Sequence, residues 1–142
     1  MFFNEYVGAN QFAFNEFQRT VISSAFQLLP PAYRRSFQVE NFGKVQHAVQ
    51  LPDPIEVARV DPSEAIRSQD IRKVLSENFV ECKFNPCGGN ILQFALHGIA
   101  GNFVESNPRS MALLEMLFQI EDALISNSFL ETDFAVGVMR VP

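Results

Sequence analysis

The chain has 142 residues, 47 % of them hydrophobic and 19 % charged, with 15 phenylalanines and no tryptophan, which is the composition of a folded domain rather than a disordered segment. Eleven lysines and arginines stand against 16 aspartates and glutamates, a net charge of −5, and that balance argues against a binder of nucleic-acid phosphates. No apolar run approaches the ~18 residues a membrane span needs, and "MFFNEYVGANQF" lacks the basic start of a secretory signal, so a cytoplasmic protein of one domain, with neither nucleic acid nor membrane as partner, is the expectation.

In chain order, "FNEFQRTVISSAFQLLPP" predicts a helix from Glu16 to Leu29. Asn15 is a good N-cap, with Gln18 placed as in a capping box. Phe17, Val21, Ala25 and Leu28 form its apolar stripe, widened by Ile22, Phe26 and Leu29, and Pro30–Pro31 ends it. Residues 32–60 show no long periodic pattern. "KVQHAVQL" reads as a short extended segment and "PIEVARV" as one or two helical turns, within a long ordered excursion of the kind that often carries function.

In "DPSEAIRSQDIRKVL" the reading is two helix starts in tandem. Asp61 is the first cap, with Pro62 at the first helical position and Glu64 as reciprocal acid. Ser68 caps the second helix, with Asp70 in its first turn. Arg67 is left over by this grammar. It either pairs with Glu64 or Asp70, or meets an anion or ligand in a cleft.

"NFVECKF" predicts a strand with Val80, Cys82 and Phe84 on one face. The two cysteines, Cys82 and Cys87, suit buried free thiols in a reducing compartment. A zinc site lacks its second ligand pair, and a disulfide is the remaining alternative. Gly88–Gly89 then form a turn, Asn90 caps an almost wholly apolar helix to Ala100, and His97 on it is a hydrogen-bonded core residue rather than a general base. The same "CGGN" turn offers backbone N–H groups to a phosphate, but lacks the further glycines and lysine of a P-loop. "NPRSMALLEMLFQIEDALISN" predicts the clearest helix, capped by Asn107 and entered by Pro108, with Glu115, Gln119, Asp122 and Ser126 facing water. Glu121 and Asp122 point apart and share no carboxylate site. "TDFAVGVMRV" is a strand apolar on both faces, hence central and covered by helices on both sides. One confident partner strand is too few for it, so part of the sheet is expected elsewhere.

Four phrases taken in order, "NEYVGANQFAFNEFQ", "DPSEAIRSQDI", "NPCGGNILQFALHGIAGNF" and "LFQIEDALISNSFLETDFAVGVMRV", resemble the C-terminal half of class I S-adenosylmethionine-dependent methyltransferases. The resemblance implies an α/β chain. It would be the C-terminal half of a Rossmann-like fold, with helices around a small sheet, an antiparallel C-terminal hairpin, and the last strand inserted between two others. It places the start of the chain just after the fifth strand, so that residues 1–142 form a single partial domain. The cofactor half is missing: none of the seven glycines lies in a G-x-G-x-G run, and the ribose-binding acid is absent. The expectation is therefore no cofactor in this chain alone, with S-adenosylmethionine bound only when a cofactor-binding half completes it, and no catalytic residue.

The loop after the fifth strand lies beside the substrate in such folds, which nominates Glu5, Tyr6, Gly8, Asn10 and Phe12 as substrate-facing, joined by Arg67. Ordinary packing is the competing account of Tyr6 and Phe12. A homodimer or a separate cofactor-domain chain is the implied partner. The alternative functions are a non-catalytic dimerisation or interaction module and a binder of hydrophobic ligands.

Overall fold

A computed structural model describes residues 1–142 as a mixed α/β fold with one three-stranded antiparallel sheet. The strands are β1 (Phe2–Tyr6), β2 (Val80–Pro86) and β3 (Phe134–Arg140); the helices are α1 (Glu16–Leu28), α2 (Pro54–Val60), α3 (Ile71–Asn78), α4 (Leu92–Ala95) and α5 (Pro108–Ser126). The sheet order is β1-β3-β2, and β3 runs antiparallel to both neighbours. β1 and β2 therefore run the same way, and their carboxyl ends, Tyr6 and Pro86, both lie beside the start of β3, opposite Phe134 and Ala135.

β1 corrects the expected strand count. The chain supplies three strands rather than two, because residues read as a loop are the edge strand, and "KVQHAVQL" contributes only an isolated bridge at Val45. β3 is central, as its apolar run required, but only one of its faces is fully covered. Ala135, Gly137 and Met139 are buried with Phe3, under Leu75 and Phe79 at the α3 end. Val138, expected to be buried, is 42 % exposed and stands opposite the still more exposed Phe2. In β2 a bulge at Cys82 breaks the alternation: Glu81 pairs with Met139 and Lys83 with the adjacent Val138. Cys82 and Cys87 are free and exposed, not buried.

The main core lies apart from the sheet, between α1, α4 and α5, around Ile22, Phe26, Leu29, Ile91, Ile99 and Leu117. α1 starts as its sequence requires, with the Asn15 side chain accepting from the Gln18 backbone N–H. Its buried face is rotated from the expected stripe, however. Gln18, Ile22, Ala25, Phe26 and Leu29 are covered, while Phe17 and Leu28 are about half exposed. α5 carries the expected Asn107 cap, Pro108 entry and wet face.

The helix expected from Asn90 to Ala100 is a single turn, α4, followed by turns and a short 3₁₀ segment. Gly98 sits in the left-handed region, at φ +69°, where a continuing helix cannot follow. The exposed His97 is not a core residue. Asn90 is not the cap either. The buried carboxylate of Glu121 on α5 takes that role, accepting from the backbone N–H groups of Gly89, Ile91 and Leu92 at 2.8, 2.7 and 3.0 Å.

Residues 62–67 form turns, not a helix. Asp61 closes α2 and its side chain accepts from the backbone N–H and hydroxyl of Ser63, an Asx turn that satisfies locally the groups a helix cap would have satisfied.

Candidate functional site

β1 leaves the sheet at Tyr6 and the chain folds at once into a strained turn. Gln11 and Phe12, neither of them glycine, hold φ of 50° and 58°, a conformation that costs free energy for side chains of this size and persists only where the surroundings enforce it. Those surroundings are visible. Gln11 donates its backbone N–H to Ala65 O at 2.7 Å, and the Phe12 ring packs on Tyr6 at 4.8 Å between centroids and on Phe94 at 6.2 Å. The segment Ala65–Gln69 clamps the turn from the other side. The buried Ser68 hydroxyl donates to Gly8 O at 2.8 Å, and Gln69 N–H donates to the Asn10 side chain at 3.1 Å. Ser68 is therefore a tertiary clamp rather than the expected helix cap.

Gly8 lies where two side chains converge. A Cβ built on it would collide with Asp133 Oδ1 and stand 2.7 Å from the Tyr6 hydroxyl, so no other residue fits without displacing one of them. Asp133 precedes β3 and is 5 % exposed. Gln18 on α1 donates its side-chain amide to Asp133 Oδ2 at 3.2 Å, which makes it a buried partner of the acid rather than the reciprocal member of a capping box. Burial pushes the Asp133 carboxyl up to about 7; the negative charges of Glu121 and Glu131 add to the rise, and the Gln18 hydrogen bond opposes it. Tyr6 is shifted upward as well, first by burial and then by the Asp133 charge, so its phenol stays protonated and donates to Ala9 O at 3.1 Å.

Gly8, Gln18, Asn90 and Asp133 lie on the wall of a hollow of about 470 Å³ off the carboxyl end of β1. That volume suits a small-molecule ligand. Asn90 is 1 % exposed; its amide nitrogen donates to Glu131 O, and its side-chain oxygen has no partner.

The six residues nominated from the sequence do not share one cavity. Gly8 lines the main hollow. Glu5, Tyr6 and Arg67 line a shallower one of about 340 Å³ on the other side of the clamp. Phe12 faces a third, beside Leu51 and Phe94, and Asn10 holds the turn together. Glu5 and Tyr6 belong to β1 rather than to a loop. Arg67 pairs with Asp70 at 2.8 Å on the surface, the first of the two roles open to it. Sequence reasoning missed Gln18, Asn90 and Asp133 as one group, because 115 positions separate Gln18 from Asp133.

No group of histidine, cysteine and carboxylate side chains has the arrangement of a metal site, and no helix is long and apolar enough to cross a membrane. No protein-family model, curated protein or solved structure matches the chain.

Proposed function

We propose that this chain is the substrate-side half of an S-adenosylmethionine-dependent small-molecule methyltransferase, inactive until a cofactor-binding half completes it. The observation that carries the reading is the strand order: the last strand is inserted antiparallel between two strands that run the same way, the arrangement that the resemblance in "DPSEAIRS" and "GIAGNF…DFAVGVMR" requires of a methyltransferase C-terminal half. The hollow at the carboxyl end of β1 also lies on the side where ligands bind in open α/β sheets.

In this reading the chain's residues bind and orient the methyl acceptor. Gly8 lines the site, Tyr6 and Phe12 pack together behind the turn that carries it, and Asp133 offers a carboxyl that takes or returns a proton near neutrality. S-adenosylmethionine would supply the methyl group from the absent half. The outer edge of β1 has no strand beside it, and such an edge recruits another. A cofactor-bearing segment or chain placed there would complete the sheet; a second copy of this chain is the other candidate.

Calorimetry tests the division of labour. The chain alone should bind no S-adenosylmethionine. The same chain produced together with the coding sequence immediately upstream of Met1 should bind it at micromolar concentration and transfer its methyl group. Cofactor binding to the isolated chain, or the lack of a G-x-G-x-G domain both upstream and in any chain that co-purifies with it, would overturn the reading.

A further inference from the structure

We propose that the hollow between Gly8, Asn90 and Asp133 binds a small ligand through a protonated amine, held by the Asp133 carboxylate and the Asn90 side-chain carbonyl. The argument begins with what lines the cavity. Its wall includes two carboxylates, Glu131 and Asp133, and no lysine, arginine or histidine. A carboxylate- or phosphate-bearing ligand would meet like charge there with nothing to offset it. Asn90 narrows the choice further. Its amide nitrogen faces Glu131 O, and its buried side-chain oxygen has no donor. A buried carbonyl oxygen without a donor costs free energy, and a ligand N–H would satisfy it. Gln18 satisfies Asp133 Oδ2 only, while Oδ1 lies over the bare Cα of Gly8. Two acceptors beside one hollow therefore lack donors, the Asn90 oxygen buried behind its wall, and an ammonium carries three.

The charges around Asp133 are consistent with this. Tyr6 from β1, Glu121 from α5 and the neighbouring Glu131 face it, and none of them is a cation. Arg72 borders an adjoining hollow, but it is paired with Glu81 and stacked over the Phe84 ring. A bound ammonium would be the missing counter-charge. An alkyl amine titrates near 10, like lysine, so it stays charged while Asp133 ionises.

Binding should therefore strengthen as pH rises through 7. Between about pH 6 and about pH 8 the ionised fraction of Asp133 rises roughly tenfold, and affinity should rise by the same factor.

The test is an amide NMR titration of the full chain with three shape-matched probes: 2-phenylethylamine, 2-phenylethanol and phenylacetate. The amine alone should move the signals of Gly8, Asn90 and Asp133 saturably, about tenfold more tightly at the higher pH. Asp133→Asn, shown by melting to be folded, should lose that binding. Equal binding of the alcohol or the acid at these residues would overturn the proposal. So would a pH-independent affinity for the amine, or no saturation by it below about 10 mM. The experiment needs no cofactor and no methyl transfer, so its failure would leave the methyltransferase reading standing, and the converse holds.

Discussion

Asp133→Asn should stabilise the protein in mildly alkaline solution and leave its stability unchanged in acid. The carboxyl titrates at about 7 in the folded chain against an ordinary 3.8, chiefly because it is buried. In the unfolded chain the same group is solvated and ionises in the usual range. Between those two values the folded state holds a proton that the unfolded state has lost. The contribution of Asp133 is therefore fully present below about pH 4, declines as pH rises toward 7, and is constant above it. A shift of about 3 units corresponds to about 4 kcal/mol. That figure is an upper limit, because the hollow beside Oδ1 admits water.

Asparagine has nearly the same shape, carries no charge at any pH, and keeps an oxygen to accept from Gln18. Urea melts of both proteins at about pH 4, 5.5, 7 and 8.5 give the difference directly, and the comparison cancels every other titrating group. The variant should gain 1–4 kcal/mol, roughly, at the high end and nothing at the low end. A difference that does not change with pH, or a variant less stable than the parent in alkali, would refute the reasoning about burial.

Two further substitutions test the packing of the site. Glu121→Ala strips the acceptor from the backbone N–H groups of Gly89, Ile91 and Leu92, and at about 1–3 kcal/mol for each orphaned donor the loss should reach roughly 3 kcal/mol or more in urea melts; a loss below about 1 kcal/mol would mean that water replaces the carboxylate. Ser68→Ala removes the buried hydrogen bond to Gly8 O and should cost about 1 kcal/mol, whereas Arg67→Ala breaks only an exposed pair with Asp70 and should stay within about 0.5 kcal/mol. Denaturant melts that rank these two the other way would show that the clamp depends on the ion pair.

The parts of the fold that were legible in the sequence are those decided locally. Asn15 and Asn107 cap their helices as their positions dictate, and the apolar run of β3 announces a central strand. β1 was not legible, because five residues at the chain end without alternation have no signal until β3 pairs with them. The two faces of α1 were misjudged for a related reason. Phe17 and Leu28 satisfy helical periodicity as well as Ile22 and Phe26 do, and only the position of α4 decides which set is covered. In "DPSEAIRS" the difficulty is one of ambiguity. An Asx turn and a helix N-cap use the same side chain toward the same backbone groups, so Asp61 and Ser63 fit either. The bond from Ser68 to Gly8, 60 residues away, belongs to tertiary structure. The candidate site is of the same kind: Gln18, Asn90 and Asp133 come from three separate elements, and no spacing connects them.

Several costs to stability gather at this hollow and in the turn beside it, and that is the strongest physical reason to place function there. A carboxyl group is held at 5 % exposure with no cation beside it. An amide oxygen is buried without a donor. Two adjacent residues with side chains occupy the left-handed region, and a glycine stands where any other residue would collide with the acid. The buried acid, the unpaired amide oxygen and the left-handed pair are each unfavourable taken alone. Packing holds the turn, through Phe12 on Tyr6 and Phe94, but it supplies no cation for the carboxyl and no donor for the amide oxygen. A ligand that brings positive charge and hydrogen-bond donors would relieve the first two together, while the bare Gly8 Cα lets Asp133 and Tyr6 pack against the turn. The departures from local consistency would then be the binding site itself.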